Sequence, residues 1–263
     1  MKVLSGRDLA DFIKERQSIQ SSSLPRPAHL LIIRDNSNPV ISKYVDLKIH
    51  YGEDIGIKVT DYLAPSLKDV SERISAANSD PLVDAIIVQL PLSDPSATDS
   101  ICNLISPEKD VDGLGSNASY DSATATAILW LLAGYDIKLE NKKIAIIGRG
   151  KLVGSPLYRI FTASNYDVSL FHRGDDLTKL KNFDIIISAT GVPGLVSNDF
   201  ISPGTILIDA GTASENGIIK GDLSPEIYTR KDLTAITPIK GGVGPLTVSC
   251  LFDHVLQAAL KSI

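Results

Sequence analysis

A chain of 263 residues, 43% hydrophobic and 22% charged, has the composition of an ordinary globule and is long enough for one large domain or two smaller ones. Its net charge of -5 gives no electrostatic case for nucleic acid or an anionic membrane as the main partner. Cys102 and Cys250 are too few for a disulfide framework or a cysteine-built zinc site, and no apolar run reaches the ~20 residues of a membrane span.

The opening MKVLSGRDLADFIKERQ is polar and lacks a signal-peptide h-region, so a cytoplasmic protein is expected. Within it Leu9, Phe12 and Ile13 recur at helical spacing and predict a surface helix over residues 7–17. SSSLPRP, residues 21–27, reads as a turn-rich break, and HLLIIR supplies the first strand. Pro39 suits the first turn of a helix, whose apolar face is predicted to run through Val40, Tyr44, Leu47, Tyr51 and Ile55. Lys48 lies one turn beyond Tyr44 and is its neighbour on that face. Spacing alone favours an amphipathic lysine that covers the edge of the apolar stripe and keeps its amine in water.

IKVTDYL, residues 57–63, is a second strand, followed by a helix carrying Leu67, Val70 and Ile74. AIIVQLPL, residues 85–92, is an apolar strand that delivers Gln89 at its carboxyl end, where ligands of open α/β sheets gather. A glutamine bonded to nearby loop backbone is the alternative. In SPEKDVDGLG, residues 106–115, Asp110 and Asp112 precede Gly113 and read as a turn with an Asx bond available. No third ligand stands at metal-loop spacing, so no metal is expected.

A helix is predicted over residues 123–132, and a nucleotide-binding part from Asn141. In KKIAIIGRGKLVGSP a buried strand is followed by Gly148, Gly150 and Gly154 and then by a helix start. Such glycines allow a tight turn and close approach of a pyrophosphate, while the helix N-terminus offers free N–H groups. Taken alone, the pattern also fits an ordinary strand–turn–helix corner. YDVSLFHRG is the next strand and ends at His172 and Arg173. A basic residue there favours the 2′-phosphate of NADP, and Arg149 adds a second positive group. The alternative is two solvated arginines, with Asp175 and Asp176 neutralising Arg173. DIIISATG (with Asp184 at its start), TILIDAG and LTAIT are further strands; GGVGPL, residues 241–246, is a glycine loop, and TVSCLFDHVLQAALKSI is a closing amphipathic helix. Internal repeats are absent. Strands in series with helices make the fold class α/β.

SKYVDLK, VQLPL, PEKDVDG, GRGKLVGSP and KGGVGPLT stand in the order and approximate spacing of the tetrahydrofolate dehydrogenase/cyclohydrolase family, and the resemblance runs nearly end to end. It implies an N-terminal α/β folate-binding catalytic domain over residues 1–120, completed by the closing helix 246–263. A Rossmann-like, doubly wound NADP-binding domain would occupy residues 121–245, with the active-site cleft between the two. The implied activity is NADP-dependent oxidation of 5,10-methylenetetrahydrofolate to the methenyl cation, followed by hydrolysis to 10-formyltetrahydrofolate. By the same resemblance Lys48 is the main catalytic group, Tyr44 walls the folate ring, Gln89 hydrogen-bonds the lysine and Asp112 anchors the pterin. Val88, Leu90, Gly241, Gly242 and Pro245 would complete the substrate site. Gly148, Arg149, Gly150, His172, Arg173 and Thr212 would hold the cofactor. Tetrahydrofolate derivatives are the implied partners, and a homodimer the implied assembly.

The chain departs from the family pattern at the rims. The usual Pro-Cys-Thr-Pro is SATA, residues 122–125, and Gly-Arg-Ser is Gly148-Arg149-Gly150, which removes a hydroxyl that helps hold the 2′-phosphate. Ile41 stands for the serine three residues before Tyr44, with Ser42 adjacent; Arg173 replaces the serine after His172, and Lys240 the proline before the double glycine. A dehydrogenase that has lost the hydrolytic step, and a non-catalytic nucleotide sensor, are the competing readings. The joint presence of Lys48 and Gln89 argues against the sensor.

Overall fold

The computed structural model describes residues 1–211, 213–215 and 218–262. In chain order its elements are β1 (Lys2–Val3), α1 (Gly6–Ser22), β2 (His29–Arg34), α2 (Pro39–Asp54), β3 (Lys58–Leu63), α3 (Leu67–Ser79), β4 (Ala85–Val88), α4 (Thr98–Cys102) and α5 (Ala123–Gly134). These are followed by β5 (Lys143–Ile147), α6 (Gly154–Ala163), β6 (Asp167–Phe171), β7 (Ile185–Ser188), β8 (Ile206–Asp209), β9 (Ala213–Glu215), β10 (Ile218–Lys220), β11 (Ala235–Ile236) and α7 (Val243–Lys261). The chain divides into two compact units, one of Asp11–Ala123 with Val248–Ile263, the other of Met1–Ala10 with Thr124–Thr247.

The first unit is built on a parallel sheet of order β3-β2-β4. β2 and β4 are near-continuous apolar runs because both faces of the sheet are covered. Leu31, Ile33, Val70, Ile74, Ile86 and Val88 share one core. The strand order reverses at β2, so the carboxyl ends of β2 and β4 flank a switch point of the kind that places ligands in open α/β sheets. Asn38 starts α2 by accepting the Val40 N–H at 2.9 Å, with Pro39 in the first turn. Near the other end, Gly52 lets the helix approach β3: a Cβ there would lie 2.4 Å from Val59 Cγ2.

The predicted face of α2 holds at its C-terminal end, where Tyr51 is partly buried and Ile55 is buried, and differs over the preceding turns. Ile41, Val45 and Gly52 are buried, whereas Val40, Tyr44 and Leu47 are 39%, 38% and 52% exposed. Lys48 continues the 41–45–52 series at helical spacing, so it lies on the inward stripe rather than at the edge of an apolar one. α1 also outruns its predicted end, reaching Ser22, where the Ser22 and Ser23 hydroxyls donate to the Ile19 and Gln20 carbonyls.

α7 begins at Val243, so Pro245 and Leu246 lie in its first turn and not in a loop. By length and composition it is also apolar enough to cross a membrane, unlike any stretch foreseen from the sequence. Its apolarity has a local cause: Cys250, Leu251, Phe252, Val255 and Leu256 are buried in the first unit, with the Phe252 ring 5.0 Å from that of Tyr51.

The second unit carries a parallel sheet of order β1-β11-β8-β7-β5-β6. Here residues 1–10, assigned by sequence to the first domain, belong to the other body. The Lys2 N–H donates to Thr234 O at 2.9 Å and the Leu4 N–H to Ile236 O at 2.8 Å, which covers the free edge of β11. A two-residue strand is too short to show alternation, so sequence could not reveal it. The antiparallel pair β9–β10 was likewise not foreseen. The chain runs from β5 outward to β6 and returns as β7 on the other side, placing a second switch point at the carboxyl ends of β5 and β7.

Candidate active site

In the first unit the switch point brings Lys48 and Gln89 together. Lys48 Nζ donates to Gln89 Oε1 at 2.6 Å. Gln89 Nε2 donates to the Leu90 carbonyl at 3.0 Å, which leaves only the amide oxygen to face the lysine. The Gln89 N–H continues the ladder onto Ile33 O at 2.8 Å, so the strand itself aims the side chain. Asp112 joins them electrostatically. Burial lowers the Lys48 pKa while the Asp112 charge opposes the shift; burial raises the Asp112 pKa while Lys48 opposes that. Both residues keep part of their surface exposed, and dense protein around the charged groups produces the shifts.

The two aspartates divide their work. Asp110, 1% exposed, accepts the N–H groups of Gly113, Leu114 and Gly115 at 3.2, 3.4 and 2.6 Å. It is the Asx-type turn group. Among the described residues no hydrogen bond reaches the Asp112 carboxylate. Tyr44 is exposed one turn from Lys48. Val88 is 2% exposed and its side chain belongs to the core, so it has only backbone to offer a ligand; Leu90 packs against the same core. Ser42, adjacent to the position of the usual serine, accepts from Arg34 at 3.0 Å on its Oγ.

In the second unit Gly148 follows β5 with φ of +97°, and a Cβ there would lie 2.7 Å from Ala189 O, just beyond β7. A Cβ on Gly154 would lie 1.9 Å from Gly148 O. The turn and the start of α6 therefore pack backbone to backbone at the switch point, as an anion cradle demands. Gly150 is different: a Cβ there meets nothing within 4 Å. Arg149, Gly150, His172 and Arg173 are all exposed. The two acids suspected of neutralising Arg173 are engaged locally. Asp175 accepts the His172 N–H at 2.6 Å, and Asp176 accepts the Thr178 N–H at 3.0 Å and its hydroxyl at 2.6 Å. Among the described residues neither Arg149 nor Arg173 has an ion-pair partner. This cradle with two unpaired cations fits a dinucleotide phosphate. Gly241 has φ of +81° and its carbonyl accepts the Arg7 N–H at 3.1 Å; Gly242 lies against Gly6. Thr212 lies outside the described residues.

Family models match both parts of the chain. Residues 4–112 match the tetrahydrofolate dehydrogenase/cyclohydrolase catalytic domain, and residues 122–263 its NAD(P)-binding domain. The chain belongs to the tetrahydrofolate dehydrogenase/cyclohydrolase family. Among relatives, the bifunctional protein FolD of Chlamydia felis is 32% identical, with 99% of each chain covered. That of a Hydrogenobaculum species is 34% identical, with 98% of each covered. The bifunctional FolD of Campylobacter jejuni superposes with a TM-score of 0.94 at 31% identity over 100% of both chains. The dehydrogenase-cyclohydrolase of Trypanosoma brucei, complexed with NADP and an inhibitor, gives 0.91 at 26% identity, covering 99% of this chain and 97% of the other.

Within this family member, one polar cluster escaped sequence reasoning. Asp222 accepts the Ser188 hydroxyl and the Thr190 N–H, each at 2.7 Å, beside the switch point of the nucleotide sheet. Asp209, ending β8, accepts N–H groups of Gly211, Asp222 and Leu223 and the Tyr228 hydroxyl at 2.9 to 3.1 Å. Burial raises the pKa of Asp209 and pushes the Tyr228 phenol up further. The local signals were two glycines: a Cβ on Gly221 would lie 2.0 Å from Asp209 Oδ2, and one on Gly211 2.0 Å from Asp222 Oδ1.

Proposed function

We propose that this chain is an NADP-dependent bifunctional enzyme that oxidises 5,10-methylenetetrahydrofolate to the 5,10-methenyl cation and hydrolyses that cation to 10-formyltetrahydrofolate. The observation that carries the reading is the 2.6 Å bond between Gln89 and a lysine whose charged form is disfavoured by burial. NADP, when bound, supplies the hydride acceptor. Gly148, Arg149, Arg173 and the N-terminus of α6 would hold it, the arginines taking the 2′-phosphate.

Asp112 is an acceptor-only group and suits the donor edge of a pterin. Tyr44 limits solvent on one side of the ring. As hydride leaves, the substrate's methylene carbon becomes an electron-poor amidinium, which a permanent ammonium nearby would oppose. A neutral Lys48 does not. In the second step water adds to the methenyl carbon and gives one proton to Lys48; the bond from that carbon to N5 then breaks as the new hydroxyl becomes the formyl carbonyl, its proton passing to N5. Gln89 accepts one lysine N–H and so leaves the nitrogen lone pair free to point toward the water. The homodimer is part of the same proposal, supported by family resemblance.

The test is spectroscopic. Mixing the protein with methylenetetrahydrofolate and NADP, and following reduced cofactor and the methenyl chromophore separately, should show reduction together with decay of the methenyl species. Reduced cofactor with persistent methenyl absorbance would leave a dehydrogenase alone.

A further inference from the structure

His254 stands in the part of α7 that belongs to the first unit, between Asp253 and the buried Val255, and is itself 6% exposed. Its Nδ1 lies 2.8 Å from the carbonyl of Val111. A carbonyl only accepts, so Nδ1 carries the proton and donates. The imidazole stacks on Tyr120 with centroids 4.9 Å apart and planes 29° from parallel, and Lys261 covers the Tyr120 ring at 4.8 Å. The ring is thus fixed in orientation by packing as well as by its bond. Putting a polar ring into an apolar core costs free energy unless it is hydrogen-bonded, and here the bond is to the residue immediately before Asp112.

That placement matters because no hydrogen bond among the described residues orients the Asp112 carboxylate. Its direction is set by the backbone on its two sides. On the far side the Asp110 carboxylate takes the Gly113, Leu114 and Gly115 N–H groups. On the near side the tie is His254 to Val111, itself wholly buried. We propose that His254 is a positioning residue for folate binding: it pins Val111 from α7 so that Asp112 presents its free carboxylate beside Lys48. The proposal rests on the reading of Asp112 as the pterin anchor.

The experiment is a double-mutant cycle read as KM for methylenetetrahydrofolate and, separately, KM for NADP, with a melting curve for each variant. An asparagine amide falls near Nδ1 of the histidine, whereas a glutamine amide falls near Nε2. His254→Asn should therefore stay near wild type, while His254→Gln raises the folate KM about tenfold with little change in the NADP KM. In an Asp112→Asn background, His254→Gln should add less than about twofold, because both changes remove the same interaction. Should His254→Gln not fold, His254→Ser replaces it in the cycle. Equal folate KM for the Asn and Gln variants, or full additivity with Asp112→Asn, overturns the role of His254. An unchanged folate KM in Asp112→Asn alone overturns the anchor reading itself, so the two failures are distinguishable.

Discussion

Lys48 and Gln89, 41 positions apart, meet at 2.6 Å because α2 and the carboxyl end of β4 flank one switch point. The amide oxygen accepts from the amine, and nothing in that bond requires the amine to be charged. Burial moves the lysine below its ordinary 10.5 and Asp112 alone pulls it back.

The first prediction follows from this balance. If neutral Lys48 is the base, kcat for methenyl hydrolysis, corrected for the uncatalysed reaction, rises with pH along a limb below 10.5. Gln89→Glu puts a carboxylate against the amine and favours its charged form, so the limb should move to higher pH. A limb unmoved by Gln89→Glu would show that Lys48 is not the titrating group. On stability the sign is the reverse of a salt bridge. A lysine lowered on folding costs stability below its folded pKa, and the cost fades as pH rises toward 10.5. Lys48→Met removes that cost but leaves Asp112 without its opposing charge; the two offset, so the melting temperature should stay within about 3 °C while both activities collapse.

The two aspartates should separate by assay. Asp112→Asn removes a charged acceptor and should raise the folate KM about tenfold with little effect on melting. Asp110→Asn replaces one of the two accepting oxygens by an NH2, so that either the Gly115 N–H or the Gly113 and Leu114 N–H groups face a donor, and should cost ~1–3 kcal/mol of stability. Denaturant unfolding of both proteins decides it. Asp110→Asn being the more damaging to folate affinity at unchanged stability would reverse the assignment.

For the cofactor, Arg149 and Arg173 have no ion-pair partner among the described residues, and NADP should bind more tightly than NAD. A hydrogen bond to a charged group is worth ~1.5–3 kcal/mol, so Arg173→Ala should lose about tenfold or more for NADP and little for NAD. Because a Cβ at residue 150 meets nothing within 4 Å, Gly150→Ser should fold normally and strengthen NADP binding. Gly154→Ala, whose Cβ would meet Gly148 O at 1.9 Å, should abolish binding of both cofactors. Titration calorimetry with each cofactor measures all of these. Equal wild-type affinities would dispose of the 2′-phosphate argument.

Asp222 offers a check on the nucleotide sheet. Asp222→Ala strips the Ser188 hydroxyl and the Thr190 N–H of their acceptor in a buried place, at a cost of ~1–3 kcal/mol for each group left unpaired. The melting temperature should fall and the NADP KM rise, with the folate KM little changed. A rise confined to the folate KM would contradict the placement of this cluster at the nucleotide switch point.

The strands beside both sites were legible in the sequence because their cores LLII, AIIV, IAII and III are buried on both faces and so are apolar without interruption. So were the turn of Gly148, the role of Asp110 as a turn group and the delivery of Gln89 at a strand end, each set by residues within a few positions. The buried face of α2 over its earlier turns was not. Val40, Tyr44 and Leu47 make as good an apolar series as Ile41 and Val45, and it is tertiary packing, with Gly52 drawn close to Val59, that turns the second series inward. That choice carries Lys48 from a solvated edge to an enclosed site and shifts its pKa. Pairing of β1 with β11, the grip of Asp222 on Thr190 and the tie of His254 to Val111 likewise join residues far apart in the chain. Local pattern fixes what each segment is; long-range packing alone decides which polar groups lose their water and which partners they find instead.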